Sequence, residues 1–147
     1  MYKTVAGSLG TRRSFAVTCG LAAGYGAAAK IHQASEAVEA SLSWMKARAA
    51  AGLPFLTGSV TTGQVVYAWP NGPGQAGGGF EPVARFEGEV SPLYNAAMTD
   101  EEAIEILNNL ASHLGTAFGQ TRVYVVYCGK IWVLQAEEAA TPTGETV

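Results

Sequence analysis

At 147 residues, with 48% hydrophobic and 14% charged residues, the chain has the length and apolar content of one globular domain that buries its own core. Its formal net charge of -3 excludes the basic footprint that phosphate backbones and anionic membranes require, so neither nucleic acid nor membrane is an expected partner. No run approaches the ~18 consecutive apolar residues of a membrane span, and the N-terminal MYKTVAGSLGTRRSF has no uninterrupted apolar stretch of signal-peptide type. A cytoplasmic protein is expected. Cys19 and Cys128 lie in apolar alternating runs without metal-ligand spacing, which predicts two buried free thiols and a reducing compartment.

Residues 1–13 read as a flexible arm, because GSLGTRR combines glycines with a basic pair and has no periodicity. A single domain is expected over 14–136. SFAVTCGL alternates Phe15, Val17, Cys19 and Leu21 with smaller residues, the pattern of a strand that stops at AAGYGAAAK. Ser35 is a candidate cap for the following helix, whose face would carry Val38, Leu42, Met45 and Ala49 until Gly52 and Pro54 end it. FLTGSVTTGQVVYAW is rich in β-branched and aromatic residues and reads as a long strand, or one hairpinned at Thr62-Gly63. PNGPGQAGGG has too little to pack and is expected to be a mobile loop.

PVARFEGEV resumes the alternation, with Ala84, Phe86, Gly88 and Val90 on one side and Val83, Arg85, Glu87 and Glu89 on the other, where ion pairing accounts for the charges. After the connection SPLYNAAM, Thr99 and Glu102 form a capping box, and three acids occupy the first helical turn, where the helix dipole favours them. Ala103, Leu107, Leu110, Ala111, Leu114 and Phe118 form the buried stripe of this second helix. TRVYVVY and KIWVLQ, joined through CG, complete a hairpin. Residues 137–147 read as a disordered tail.

The order strand, helix, strand, strand, helix, strand is that of the ferredoxin-like split β-α-β fold: an α+β sandwich whose antiparallel sheet carries both helices on one face, here with an extra C-terminal hairpin. Two helices cover one face only, yet VYVVY and SFAVTCGL offer apolar side chains to both. Either the last hairpin folds across the open face or identical subunits pack there. A homo-oligomer is the expected solution.

Strong catalytic signatures are missing. There is no G-x-x-x-x-G-K-S/T phosphate loop and no G-x-G-x-x-G dinucleotide spacing. His32 and His113 have no second imidazole or thiol at ligand spacing, so no metal is expected, and both are read as structural or surface residues. What remains flanks the glycine loop: Tyr67 and Trp69 enter it, and Phe80 and Glu81 leave it. Chain segments on either side of one loop lie near each other, which would let Tyr67 and Glu81 share a site. Against this stands the plainer reading, with Glu81 in water at a strand start and Tyr67 in the core.

The segment GLPFLTGSVTTGQVVY, a loop, and then a glutamate opening the next strand resembles the phage-encoded enzymes that degrade S-adenosylmethionine, the S-adenosylmethionine lyases. The motif likeness covers the middle third of the chain, and the likeness in element order covers all of it. The resemblance implies a ferredoxin-like, commonly trimeric protein with an active site between subunits and no metal or cofactor. Tyr67 and Glu81 would be its catalytic tyrosine and glutamate, with Trp69 and Phe80 contacting substrate under a glycine-rich lid. The family's second active-site glutamate has no clear counterpart, and Gln120, Gln135 and Glu137 lie in the region where it would fall. The implied activity is cleavage of S-adenosylmethionine to methylthioadenosine and homoserine lactone in the host cytoplasm. A non-catalytic ferredoxin-like oligomer that binds a small molecule or host protein is the alternative.

Overall fold

The structure, a computed structural model, describes residues 1–24 and 29–137. The expected tail beyond Glu137 and part of AAGYGAAAK therefore lie outside the described residues. The elements follow in the order β1 (Ser14–Gly20), β2 (Ala22–Ala23), β3 (Lys30–Ile31), α1 (Ala34–Ala50), β4 (Ser59–Pro70), β5 (Ala76–Glu89), α2 (Asp100–Ala117), β6 (Arg122–Tyr127) and β7 (Lys130–Gln135). The main sheet has the order β4-β5-β1-β6-β7 with every neighbouring pair antiparallel. The short β2–β3 ribbon and edge strand β7 are additions to the β-α-β-β-α-β arrangement, which is the expected ferredoxin-like α+β fold.

The core lies between the helices and one sheet face. Odd-numbered residues of β1 and β6 point into it, including Phe15, Val17, Val125 and Tyr127, as do even-numbered residues of β5 such as Ala84 and Phe86. The predicted α2 stripe, Ala103, Leu107, Leu110, Ala111, Leu114 and Phe118, is buried throughout. Thr99 is the N-cap of α2, its hydroxyl accepting from the Glu102 backbone N–H at 3.1 Å. No helix among the described residues is long and apolar enough to cross a membrane.

Several expectations are corrected. Helix α1 is capped at Gln33, not Ser35, with the Gln33 backbone N–H donating to Glu36 Oε2 at 2.6 Å. Its buried face is Ala37, Ser41 and Trp44, while Val38 and Leu42 are about half exposed. The rotation has a polar cause: Trp44 Nε1 donates to Asn109 Oδ1 of α2 at 2.8 Å, and Arg48 reaches the same oxygen at 3.3 Å. Of the two readings of the next segment the long strand holds and the hairpin does not, since Thr62 and Gly63 sit inside one continuous β4. Half of the glycine-rich segment is strand: residues 71–75 connect β4 and β5, and Gly77, Gly78 and Gly79 pair with Trp69, Ala68 and Tyr67.

The last hairpin does not fold across the open face but extends the sheet edge beyond β6. Its two-residue turn is Cys128-Gly129, with φ of 47° and 80°, the left-handed pair that a tight hairpin requires. Cys128 is exposed at that turn, contrary to expectation, whereas Cys19 is buried. The N-terminal arm is fastened at its end. Arg12 pairs with Glu89 at 3.1 Å, and the Arg13 guanidinium donates to Tyr127 Oη at 2.7 Å, Met98 O at 2.9 Å and Asp100 Oδ1 at 3.0 Å.

Candidate active site

The β4–β5 register decides which residues meet. Val65 lies opposite Glu81, Tyr67 opposite Gly79 and Trp69 opposite Gly77, so odd-numbered positions on both strands share a face. The even positions Val60, Ala84 and Phe86 turn toward the helices, which leaves the odd ones on the open face. Tyr67, Trp69 and Glu81 are therefore brought together. Phe80 is not: it pairs with Val66 on the opposite face, beyond the reach of the helices, where the two are 72% and 78% exposed.

The glycines of β5 now have a geometric role. The Tyr67 and Trp69 rings stack with centroids 6.0 Å apart and planes inclined by 19°. Both lie over the neighbouring strand: a Cβ on Gly77 would fall 2.5 Å from the Trp69 indole, and one on Gly79 would fall 3.1 Å from Tyr67 Oη. A side chain at either place would lift the rings.

Inward from the stacked pair, the open face dips into a groove of about 460 Å³ whose lining includes Thr18, Gly20, Tyr67, Glu81, Gln120 and Tyr124. Tyr67 Oη donates to Glu81 Oε1 at 3.4 Å. Partial loss of water, and then the adjacent carboxylate, push the Tyr67 phenol above its ordinary pKa of 10.0. Arg85, on the same face, donates to Thr18 Oγ1 at 3.3 Å, and Thr61 donates to Glu87 at 3.4 Å. With Glu89 paired to Arg12, these β5 side chains bond to β1, β4 and the N-terminal arm, not to one another as the alternation alone suggested.

Of the three residues proposed for a second polar position, Gln120 lines this groove. Gln135 and Glu137 border a separate cavity of about 550 Å³ between α2 and β6–β7, of which Gln120 is also a wall. Thr18, Gly20 and Tyr124 escaped the sequence reading. Their signal is parity, since even positions of β1 and β6 face the same way as odd positions of β5 once the register is known.

His32 packs its ring against Phe118 with centroids 4.9 Å apart and Nδ1 3.4 Å from Glu36, while His113 is exposed on α2. Neither enters the groove. Among the described residues no group of three His, Cys, Asp or Glu could hold a metal ion.

No protein-family model matches the chain, and no curated protein matches it in sequence. Solved structures do. A phage SAM lyase in complex with S-methyl-5'-thioadenosine superposes with a TM-score of 0.64 at 16% identity, over 95% of this chain and 99% of that one. A phage SAM lyase in the apo state gives a TM-score of 0.56 at 17% identity, over the same shares of the two chains. At that identity the likeness establishes a shared fold, one that runs nearly end to end in both proteins.

Proposed function

We propose that this protein is an S-adenosylmethionine lyase, with Tyr67 and Glu81 as its catalytic pair and Trp69 as a substrate contact. The observation that carries this reading is the Tyr67–Glu81 hydrogen bond in an aromatic-walled groove. It occurs in a chain whose fold follows, over 95% of its length, a phage SAM lyase solved with S-methyl-5'-thioadenosine.

The chemistry suits such a groove. The substrate's carboxylate oxygen attacks its own γ-carbon while the Cγ–S bond breaks and its electron pair returns to sulfur. The products are homoserine lactone and neutral methylthioadenosine. Sulfonium and carboxylate annihilate, so no proton, metal or co-reactant is consumed. Because charge disappears on the way to the transition state, removing water from both ions and folding the methionyl chain into attack geometry are what accelerate the step. The stacked Tyr67–Trp69 pair offers a π face to the sulfonium. Glu81, steadied by the Tyr67 hydroxyl, anchors the substrate's ammonium and leaves the carboxylate to act as nucleophile.

The exposed apolar residues of the open face, Val65, Trp69, Tyr124, Val126, Ile131 and Val133, support assembly into a homo-oligomer, a trimer by family resemblance, that would complete the groove and exclude water. Phe80, turned away from its own groove, is then a contact for a neighbouring subunit or its substrate. In a phage-infected cell, such an enzyme depletes the methyl donor and blunts methylation-dependent restriction. Incubating the purified protein with S-adenosylmethionine and resolving methylthioadenosine chromatographically tests the reading. No turnover, together with no binding by calorimetry, would sink it.

A further inference from the structure

We infer that Gln120 is a specificity-determining residue that reads the exocyclic amine of a 6-aminopurine at the end of the groove remote from Trp69. The inference rests on the lyase reading above for the nature of the ligand, but its geometry is independent of that reading.

The Gln120 side chain cannot choose its orientation. Its Nε2 donates to two backbone carbonyls, Ala22 O at 2.8 Å and Phe118 O at 3.0 Å, so both amide hydrogens are engaged and a flipped carboxamide would set an acceptor against two acceptors. With the nitrogen pinned, the oxygen is directed across Gly20. A Cβ on Gly20 would overlap the carboxamide oxygen, so glycine at this strand end is what admits it. Gly20 and Gln120 both line the groove, and among the described residues no side chain or backbone N–H donates to this oxygen. The result is a rigid acceptor in the lining of the groove.

Such an acceptor selects among ligands. A donor placed there gains a hydrogen bond with no reorganisation of the protein, whereas an acceptor placed there meets repulsion and leaves the oxygen unsatisfied. With the sulfonium and ammonium assigned to the Tyr67–Trp69 and Glu81 end, the nucleobase occupies the Gly20–Gln120 end. The group on a purine edge that distinguishes an amino base from its oxo counterpart is the 6-substituent. The site therefore prefers adenine over hypoxanthine.

Calorimetry with methylthioadenosine and its 6-oxo analogue, methylthioinosine, tests this on the full chain. Wild-type protein is expected to bind the amino ligand roughly tenfold to a hundredfold more tightly. In Gln120→Leu that ratio should collapse to within about twofold, with most of the loss on the amino ligand. Gln120→Met, which keeps the chain length without the carboxamide, should behave alike and guards against a folding defect peculiar to one variant. A merely structural role would weaken both ligands equally and leave the ratio intact, which overturns the inference. Equal binding of both ligands by wild-type protein overturns it without any variant and spares the lyase reading. Binding of neither overturns the inference, and S-adenosylmethionine turnover by the same preparation then decides the lyase reading separately.

Discussion

Tyr67 and Glu81 sit on adjacent strands two residues out of register, Tyr67 opposite Gly79 and Glu81 opposite Val65, and the tyrosine hydroxyl spans that diagonal to the carboxylate at 3.4 Å. The pairing is an outcome of hairpin arithmetic. With residues 71–75 as the connection, any residue and its site partner share a face only if both are odd or both even.

Replacing Glu81 by Gln is expected to reduce S-adenosylmethionine turnover by at least about a hundredfold, while Tm moves by no more than roughly 2 °C, because an exposed carboxylate contributes little to folding. Product formation and a thermal melt on the same preparation decide it. Retained activity would remove Glu81 from the site.

The glycines beneath the rings supply a second expectation. Gly77→Val must displace the Trp69 indole, which a Cβ would approach to 2.5 Å. Trp69 is 49% exposed, whereas Trp44 is buried and Trp132 is half-buried with its Nε1 bonded to Asn108. Iodide quenching should therefore report chiefly on Trp69 and should change in the variant. Activity should fall with it, while the far-ultraviolet dichroism stays close to that of wild type.

How far these features could be read in advance depends on what the residues themselves encode. The α2 stripe was legible because its apolar residues are large, closely spaced and opposed by acids. The α1 face was not: Val38 and Leu42 match helical spacing as well as Ala37 and Ser41, and the orientation is decided by Asn109, a residue 65 positions from Trp44. GGG reads as a loop because glycine alone packs nothing. Only with Tyr67 and Trp69 laid over it does it become strand, and that requires the register. Tyr67 and Glu81 were visible as a pair flanking a turn. Phe80 was grouped with them because sequence adjacency says nothing about the face a side chain takes.

Thiol chemistry separates the two cysteines. Burial pushes the Cys19 thiol up to about 12. One thiol, that of Cys128, should react with an aromatic disulfide reagent in native protein, and two should react in denaturant. Rapid reaction of both in the native state would contradict the burial of Cys19.

Acid sensitivity should trace to the base of the sheet. The Tyr127 hydroxyl and then the Arg13 guanidinium hold Asp100 below its ordinary pKa of 3.8. A depressed folded-state pKa gives stability that is present above the unfolded value and is lost as pH falls through the folded one. Wild-type protein should therefore lose this contribution below about pH 4. Tyr127→Phe should melt roughly 2–8 °C lower at neutral pH and show a shallower further decline in acid, measured by thermal melts from pH 7 to 3.

Light scattering at micromolar concentration should give a mass that is a multiple of 15.3 kDa, with Ile131→Lys/Val133→Glu shifting it toward the monomer. A wild-type monomer would count against the assembly proposed for the open face.

The outer half of the β4–β5 hairpin projects past both helices, with Val65 and Trp69 uncovered on one side and Val66 and Phe80 on the other. Its ladder is held by strand pairing alone, without a packed layer beneath it. Amide protection in an isolated chain should accordingly decay outward along the hairpin, from Phe86 toward Gly77, and the two aromatic rings would ride on the segment that opens first. A subunit or ligand closing over that segment would act as its missing layer, so that occupancy of the groove and rigidity of the hairpin would rise together.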